Sequence, residues 1–272
     1  MVDETKEKYM DGYLRKGFAK AKSLVEKDWD WLTLVDGAEG SGKSVIAQQC
    51  AYEVDKTICL DRITFTPEEF REAILKANKY QAVIYDEAYT GLSSRGTMSD
   101  INKTLVQMLA EIRQKCLFVF IVMPTFFDLD RYAAIWRSRG LIHVYTDKGY
   151  GRGYFAYYNK DKKKMLYILG KKFYDYKKPK PNFRGRFTSY YVVDEQEYRK
   201  KKLNALSEHK DYRTKKDEER VPIIMTALLN HISSRQAEKE LEALGLKLTY
   251  RQIAHIVQKY KENTLSEMWN VV

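Results

Sequence analysis

Residues 37–44 read Gly37-Ala38-Glu39-Gly40-Ser41-Gly42-Lys43-Ser44 and follow the apolar segment WLTLV at 31–35. They match the pattern G-x-x-x-x-G-K-[ST] at every fixed position, between a predicted strand and a predicted helix. Glycines let the backbone bend so that successive N–H groups point at phosphate oxygens, and the start of the helix adds its positive dipole end. The stretch predicts a phosphate-binding loop, with the backbone from Gly37 to Val45 as its candidate contacts.

Two side chains of this loop have the chemistry that a bound nucleotide needs. Lys43 is expected to reach the β- and γ-phosphates of ATP, and the hydroxyl of Ser44 is expected to bind Mg²⁺. A glycine-rich turn without a ligand is the structural alternative, but the position between strand and helix favours the phosphate site. ATP and Mg²⁺ are the expected cofactors.

A second apolar segment ends in two acidic residues. The segment AVIY at 82–85 is followed by Asp86 and Glu87, and the intervening chain has room for a helix, a strand and a helix after Lys43. Asp86 is predicted to hold the Mg²⁺ shell, and Glu87 to polarise a water molecule for attack on the γ-phosphate. In isolation the segment is also typical of a strand ending in solvated acids. The phosphate-binding loop favours the catalytic interpretation.

On these two motifs, residues 31–145 resemble the P-loop ATPases with an additional catalytic glutamate, a class that includes AAA+ proteins and the FtsK/HerA translocases. The resemblance implies Mg²⁺-dependent ATP hydrolysis by a ring-shaped homo-oligomer. It places Thr125 at a sensor position and Arg137 or Arg139 as an arginine finger that acts on a neighbouring subunit. The structural alternative is that these arginines cap a helix or pair with Asp128 and Asp130. The order of segments is also similar to that of zonula-occludens-toxin-like ATPases and DNA-packaging ATPases.

The chain has 272 residues, and its predicted strands alternate with predicted helices up to about residue 147. This order predicts an α/β fold with a mainly parallel sheet. We expect an N-terminal helix (1–30), a P-loop ATPase core (31–147), a basic hairpin and linker (148–193) and a helical C-terminal domain (194–272). Within the core, Thr66-Pro67-Glu68-Glu69 predicts a helix start. In the basic segment, residues 153–158 and 165–169 flank the polar run NKDKKK and predict an antiparallel hairpin, followed by an extended linker at 171–187.

Positive charge is concentrated in one part of the chain. Residues 148–220 contain 22 Lys and Arg against 10 Asp and Glu, whereas the rest of the chain has 26 against 27. Tyrosines and phenylalanines alternate with these bases, and such a combination is typical of nucleic-acid binding. A solvated lysine-rich surface is the alternative. We expect nucleic acid, with DNA favoured, as the partner.

Three short helices are predicted after residue 220. A glycine-containing turn precedes the last of them, an order that resembles a helix-turn-helix with Arg251 and Gln252 facing DNA bases. A small helical bundle packed on an ATPase core is the alternative interpretation.

Several classes of protein do not fit the sequence. The longest apolar run, at 116–124, is half of the length that crosses a bilayer, and the first residues carry no secretory signal pattern. Three scattered cysteines form neither a disulfide framework nor a metal cluster, so we expect a cytoplasmic protein. The predicted activity is ATP hydrolysis coupled to translocation, packaging or remodelling of nucleic acid. An ATP-gated DNA-binding regulator and an ATPase for protein or virion assembly are the alternatives.

Overall fold

The computed structural model describes residues 9–86, 107–108, 110–205, 238, 249 and 251. The chain forms two compact units, Met1–Leu203 and Asn204–Val272. The first unit contains the sheet and helices described below. The second unit, which includes the predicted helix-turn-helix, lies almost entirely outside the described residues. The predicted catalytic residue Glu87 also lies outside them.

Within the described part of the chain, seven strands form one sheet in the order β2-β3-β4-β1-β5-β6-β7. Neighbours from β2 to β5 pair in parallel, and β6 and β7 are added to β5 as antiparallel strands. The predicted α/β fold with a mainly parallel sheet is thereby confirmed. The strands are β1 Trp31–Gly37, β2 Ile63–Thr64, β3 Ala82–Tyr85, β4 Phe118–Met123, β5 Ser138–Tyr145, β6 Tyr154–Asn159 and β7 Phe183–Arg186.

Helices connect these strands and cover the sheet. The helix predicted near the N-terminus spans Gly12–Val25. Its Phe18 packs against Phe120 in β4, with 5.7 Å between the two ring centres. Every residue of β3 and β4 is buried, as expected for strands covered on both faces. The helices are α1 Gly12–Val25, α2 Lys43–Val54, α3 Pro67–Lys76, α4 (described over 110–114), α5 Lys160–Gly170 and α6 (195–205), with a π-helix at Tyr132–Arg137. No helix in the described ranges is long and apolar enough to cross a bilayer.

The predicted start of α3 is confirmed at the level of its hydrogen bonds. The backbone N–H of Glu69 donates to Thr66 Oγ1 at 3.1 Å, and the carboxylate of Glu69 accepts from the N–H of Phe65 at 2.8 Å. This reciprocal pair of bonds satisfies two backbone donors at the helix start. Pro67 occupies the first turn, where its missing N–H costs nothing.

Parallel pairing brings the predicted functional segments to one edge of the sheet. Strands β1, β3 and β4 point in the same direction, so the chain leaves all three at the same edge. The phosphate-binding loop follows β1, Asp86 follows β3, and Thr125 comes shortly after β4. Since β4 lies between β1 and β3, the ends of β1 and β3 are about 10 Å apart.

The predicted hairpin around NKDKKK is wrong, because its second half is a helix. Asn159 caps α5 by accepting a hydrogen bond from the N–H of Lys162 at 3.0 Å. Along α5 the buried positions are Lys163, Leu166, Tyr167 and Gly170, a spacing that places them on one helical face. The lysine run that looked like a turn is the polar first turn of this helix.

The predicted linker at 171–187 also contains regular structure. Its residues 183–186 form β7, which pairs with β6 in the register Tyr154↔Arg186 and Tyr157↔Phe183. The rings of Phe183 and Tyr157 stack at 5.0 Å. In β7 half-buried residues alternate with exposed ones, and the exposed ones are Arg184 and Arg186. This alternation is typical of a strand with one solvated face.

Candidate nucleotide- and metal-binding site

Three glycines of the phosphate-binding loop, Gly37, Gly40 and Gly42, have positive φ, and two of them also pack closely against other parts of the chain. Gly42, directly before α2, has φ 101°, in the left-handed region that favours glycine. A Cβ at this position would lie 3.1 Å from Cζ of Phe187. At Gly37 a Cβ would lie 2.1 Å from the carbonyl oxygen of Val144, closer than any real contact. Both glycines therefore permit close packing that holds the loop between β1 and α2.

Lys43 folds back over this loop. Its Nζ donates to the carbonyl oxygens of Gly37 and Ala38, each at 2.8 Å. Burial lowers the pKa of Lys43, the Asp86 carboxylate opposes this effect, and the positive charge of Lys202 adds to the lowering. The ammonium group thus lies at the loop, where it can exchange carbonyl oxygens for phosphate oxygens.

The remaining loop residues divide into an exposed rim and a buried side. Ala38, Glu39 and Gly40 are exposed to solvent, whereas Ser41 and Val45 are buried. Ser41 Oγ is buried and has no hydrogen-bond partner among the described residues. A buried hydroxyl without a partner is uncommon, and a bound phosphate is the kind of group that satisfies one.

Ser44 and Asp86 bring together the oxygen atoms that a magnesium ion prefers. The Ser44 hydroxyl at the start of α2 donates to Asp86 Oδ1 at 3.0 Å, which spans the gap across β4. The Asp86 side chain is fully buried, and its backbone N–H donates to the carbonyl of Thr64 at 2.8 Å. A hydroxyl and a carboxylate oxygen next to a phosphate site fit Mg²⁺, which takes oxygen ligands from few protein side chains.

Tyr198 of α6 also reaches Asp86, a contact that no motif in the sequence predicted. Its hydroxyl donates to Asp86 Oδ2, and its side chain is almost completely buried. Burial raises the pKa of Tyr198 far above its ordinary value, and the Asp86 carboxylate raises it further. The phenol is therefore a permanent donor to the predicted metal ligand.

Thr125, the predicted sensor residue, lies at the same edge of the sheet as the loop at 37–44. The Thr125 hydroxyl is 3.2 Å from the Tyr176 hydroxyl. The Tyr176 hydroxyl donates a hydrogen bond to Asp36, the residue directly before the loop. Asp36 is fully buried and also contacts Nδ1 of His143 at 2.9 Å and the N–H of Phe126 at 3.1 Å. The rings of His143 and Tyr176 stack at 3.8 Å. Thr125 is thereby linked to the loop through Tyr176 and Asp36.

Arg137 and Arg139 lie at the opposite edge of the sheet. Both are at the amino end of β5, which runs parallel to β1, whereas the phosphate-binding loop follows the carboxyl end of β1. The guanidinium of Arg137 forms an ion pair with Asp30 at 2.6 Å, and that of Arg139 lies 4.8 Å from the ring centre of Trp29. Neither residue approaches the loop of its own chain, so the arginine finger stays a prediction about a neighbouring subunit.

The basic segment contacts the loop, although the sequence predicted it only as a partner-binding region. Phe187 packs on Gly42, and a Cβ at Gly40 would lie 3.7 Å from Nη2 of Arg152. Gln49 of α2 donates through Nε2 to the carbonyl oxygens of residues 188 and 190, at 2.7 and 2.8 Å. Residues 187–202 therefore form a strap, our name for the segment that runs from Phe187 along α2 to Asp86.

Comparisons with known proteins include a weak structural match. No family model and no curated protein matches the sequence. Among solved structures, the chain is similar to the N-terminal domain of zonular occludens toxin from Neisseria meningitidis, with 15% sequence identity and a TM-score of 0.34. The match covers 62% of this chain and 97% of that one. At this TM-score the overall superposition is weak, so function has to be inferred from the geometry of the site itself.

Proposed function

We propose that this protein binds ATP and Mg²⁺ at the phosphate-binding loop, hydrolyses the nucleotide, and uses the energy to translocate, package or remodel nucleic acid as a ring of identical subunits. The observation that supports it most is the 3.0 Å contact between Ser44 Oγ and Asp86 Oδ1 beside the Lys43 ammonium. Three groups from two distant segments meet there, in the combination that Mg²⁺·ATP requires.

Each residue of the site has a separate task in this proposal. Backbone N–H groups of the loop bind the phosphates, and Lys43 exchanges its carbonyl partners for oxygens of the β- and γ-phosphates. Ser44 and Asp86 hold the ion, which when bound neutralises charge on the phosphates. Glu87, next in the chain after Asp86, orients and deprotonates the attacking water molecule. Thr125 senses the γ-phosphate through the Tyr176 and Asp36 contacts at the same edge of the sheet.

The nucleic-acid part of the proposal is supported by exposed cations on β7 and the chain before it. Arg184 and Arg186 occupy the solvated face of β7, and Lys177, Lys178 and Lys180 are exposed as well. Several tyrosines and phenylalanines of the basic segment are buried and cannot stack on bases, among them Tyr158, Tyr167, Phe187 and Tyr190. Contact with the phosphate backbone is therefore favoured over base stacking, and such binding depends little on sequence and steeply on salt.

ATP turnover by size-separated oligomers, with and without single-stranded DNA, duplex DNA or RNA, tests the proposed function. We expect nucleic acid to raise turnover, and its affinity to fall steeply between low and physiological salt. Lys43→Ala should weaken both ATP binding and turnover, whereas Glu87→Gln should retain binding and lose turnover. Lys56→Ala is the matched control, because Lys56 lies beyond the far end of α2 with a side chain that is 57% exposed.

The results separate the proposal from its alternatives. Equal loss of ATP binding in Lys43→Ala and Glu87→Gln would contradict the role given to Glu87. Negligible turnover together with sequence-selective DNA binding would favour an ATP-gated regulator. Turnover raised by an acidic protein and unaffected by any nucleic acid would favour an assembly ATPase.

A further inference from the structure

The strap reaches the predicted metal site from a part of the chain that the phosphate-binding motifs do not include. The Tyr198 hydroxyl donates to Asp86 Oδ2, while Ser44 donates to Oδ1 of the same carboxylate at 3.0 Å. Asp86 is completely buried, so its two oxygens depend on protein donors rather than on water. Tyr198 and Ser44 each supply a donor, to opposite oxygens.

Other contacts hold Tyr198 in place. Lys201, also in α6, donates through Nζ to the carbonyl oxygens of Leu60 and Ile63, at 3.1 and 2.7 Å. The ring of Tyr198 contacts that of Phe65 at 5.6 Å and that of Tyr191 at 5.5 Å. Because the ring is packed and its helix is tied to the start of β2, the hydroxyl has a fixed position relative to β3, the neighbour of β2 in the sheet.

We propose that Tyr198 is a positioning residue, which holds Asp86 Oδ2 so that Oδ1 stays turned toward Ser44 and the Mg²⁺ ion. This inference rests on the proposed function, since it requires that Ser44 and Asp86 hold the ion. A carboxylate with one oxygen fixed in this way cannot rotate away from the ion, and partners of this kind contribute to metal affinity. The strap is then part of the metal site.

Tyr198→Phe tests the role of the hydroxyl. Phenylalanine keeps the ring that packs against Phe65 and Tyr191, so the variant should retain its fold, which its melting temperature checks. A fluorescent ATP analogue is titrated onto the protein in EDTA, and in a separate sample without EDTA Mg²⁺ is titrated into the complex, with the midpoint expressed as free Mg²⁺. We expect nucleotide affinity in EDTA to stay within about twofold, and the Mg²⁺ midpoint to rise about tenfold.

The matched control removes a buried tyrosine hydroxyl that lies elsewhere. Tyr167 donates to the carbonyl oxygen of Leu129 at 2.9 Å and is nearly as buried as Tyr198. Tyr167→Phe should leave the Mg²⁺ midpoint at the wild-type value. A double variant gives a second measurement, because Tyr198→Phe should add nothing to the Mg²⁺ midpoint of Asp86→Ala if Tyr198 acts through that carboxylate.

Failure of this inference is distinguishable from failure of the proposed function. If the wild-type protein binds the analogue but Tyr198→Phe has an unchanged or lowered Mg²⁺ midpoint, the role of Tyr198 is overturned and the ATP site stands. A further rise of the midpoint in the double variant also overturns it. If the wild-type protein binds no analogue in EDTA or in Mg²⁺, the proposed function and the inference fall together.

Discussion

Removing the Arg137 side chain should destabilise the protein strongly, because its partner is a buried carboxylate. The Asp30 side chain is 2% exposed and that of Arg137 is 17% exposed, with 2.6 Å between Nη2 and Oδ2. Arg137→Met leaves the Asp30 charge buried without its guanidinium, which costs about 3–5 kcal/mol. This is a large share of the roughly 5–15 kcal/mol that stabilises a domain. Denaturant unfolding at neutral pH measures the loss.

The paired variant Asp30→Leu with Arg137→Met distinguishes a structural role from an arginine finger. Replacing a buried ion pair by apolar residues is often neutral, so we expect stability to return to within about 1 kcal/mol of wild type. If Arg137 acts only through Asp30, ATP turnover should return as well. Recovered stability with turnover still lowered about 10³-fold or more would refute this reasoning and favour a finger. If Arg137→Met lowers the free energy of unfolding by less than about 1 kcal/mol, the ion pair contributes no more than an exposed one, and the reasoning from burial is wrong.

Two further predictions concern α5 and the strap. Burial lowers the pKa of Lys163 from 10.5 to about 7. Between these two pH values the unfolded chain binds more protons than the folded one, so the free energy of unfolding rises with pH. Below pH 7 the buried ammonium is charged, and its full cost to stability is present. The stabilisation gained in Lys163→Met should therefore be about 3 kcal/mol larger at pH 6.5 than at pH 9.5 in urea unfolding, and an equal gain at both values would contradict it. Gln49→Met removes two hydrogen bonds to the strap, worth about 1–3 kcal/mol together. The N–H groups of Phe187 and Thr188, which donate to the carbonyl oxygens of Gly153 and Tyr9, should then exchange about tenfold faster or more; unchanged exchange would show that Gln49 does not hold the strap.

Local sequence signals predicted the parts of the fold that depend on neighbouring residues. The loop at 37–44 and the start of α3 at Thr66 are each contained in a few consecutive residues, because their hydrogen bonds connect groups close in the chain. The run at 159–164 misled the hairpin prediction for a related reason. A polar segment before apolar residues is typical of a turn and equally of a capped first helical turn, and Asn159 serves as a cap.

Contacts between distant segments could not be predicted in the same way. Tyr198 and Asp86 are 112 positions apart, and Arg137 and Asp30 are 107 positions apart. Nothing in the sequence near a buried aspartate identifies which distant hydroxyl or guanidinium will satisfy it. The chemistry requires only that some donor be present. The sequence therefore indicated Asp86 as a candidate metal ligand, and the fold shows which distant hydroxyl contacts it.

The antiparallel pairing of β6 with β5 has a practical consequence for dividing this chain into fragments. A fragment ending at residue 147, the core boundary expected from the sequence, would remove β6 and β7 and leave β5 with a bare row of unpaired N–H and C=O groups. It would also remove Phe187, which covers Gly42, and the two carbonyl oxygens to which Gln49 Nε2 donates. Such a fragment should associate edge to edge and precipitate. A fragment extending through residue 205 keeps β7 as the edge strand, and the exposed charges of Arg184 and Arg186 should oppose that association.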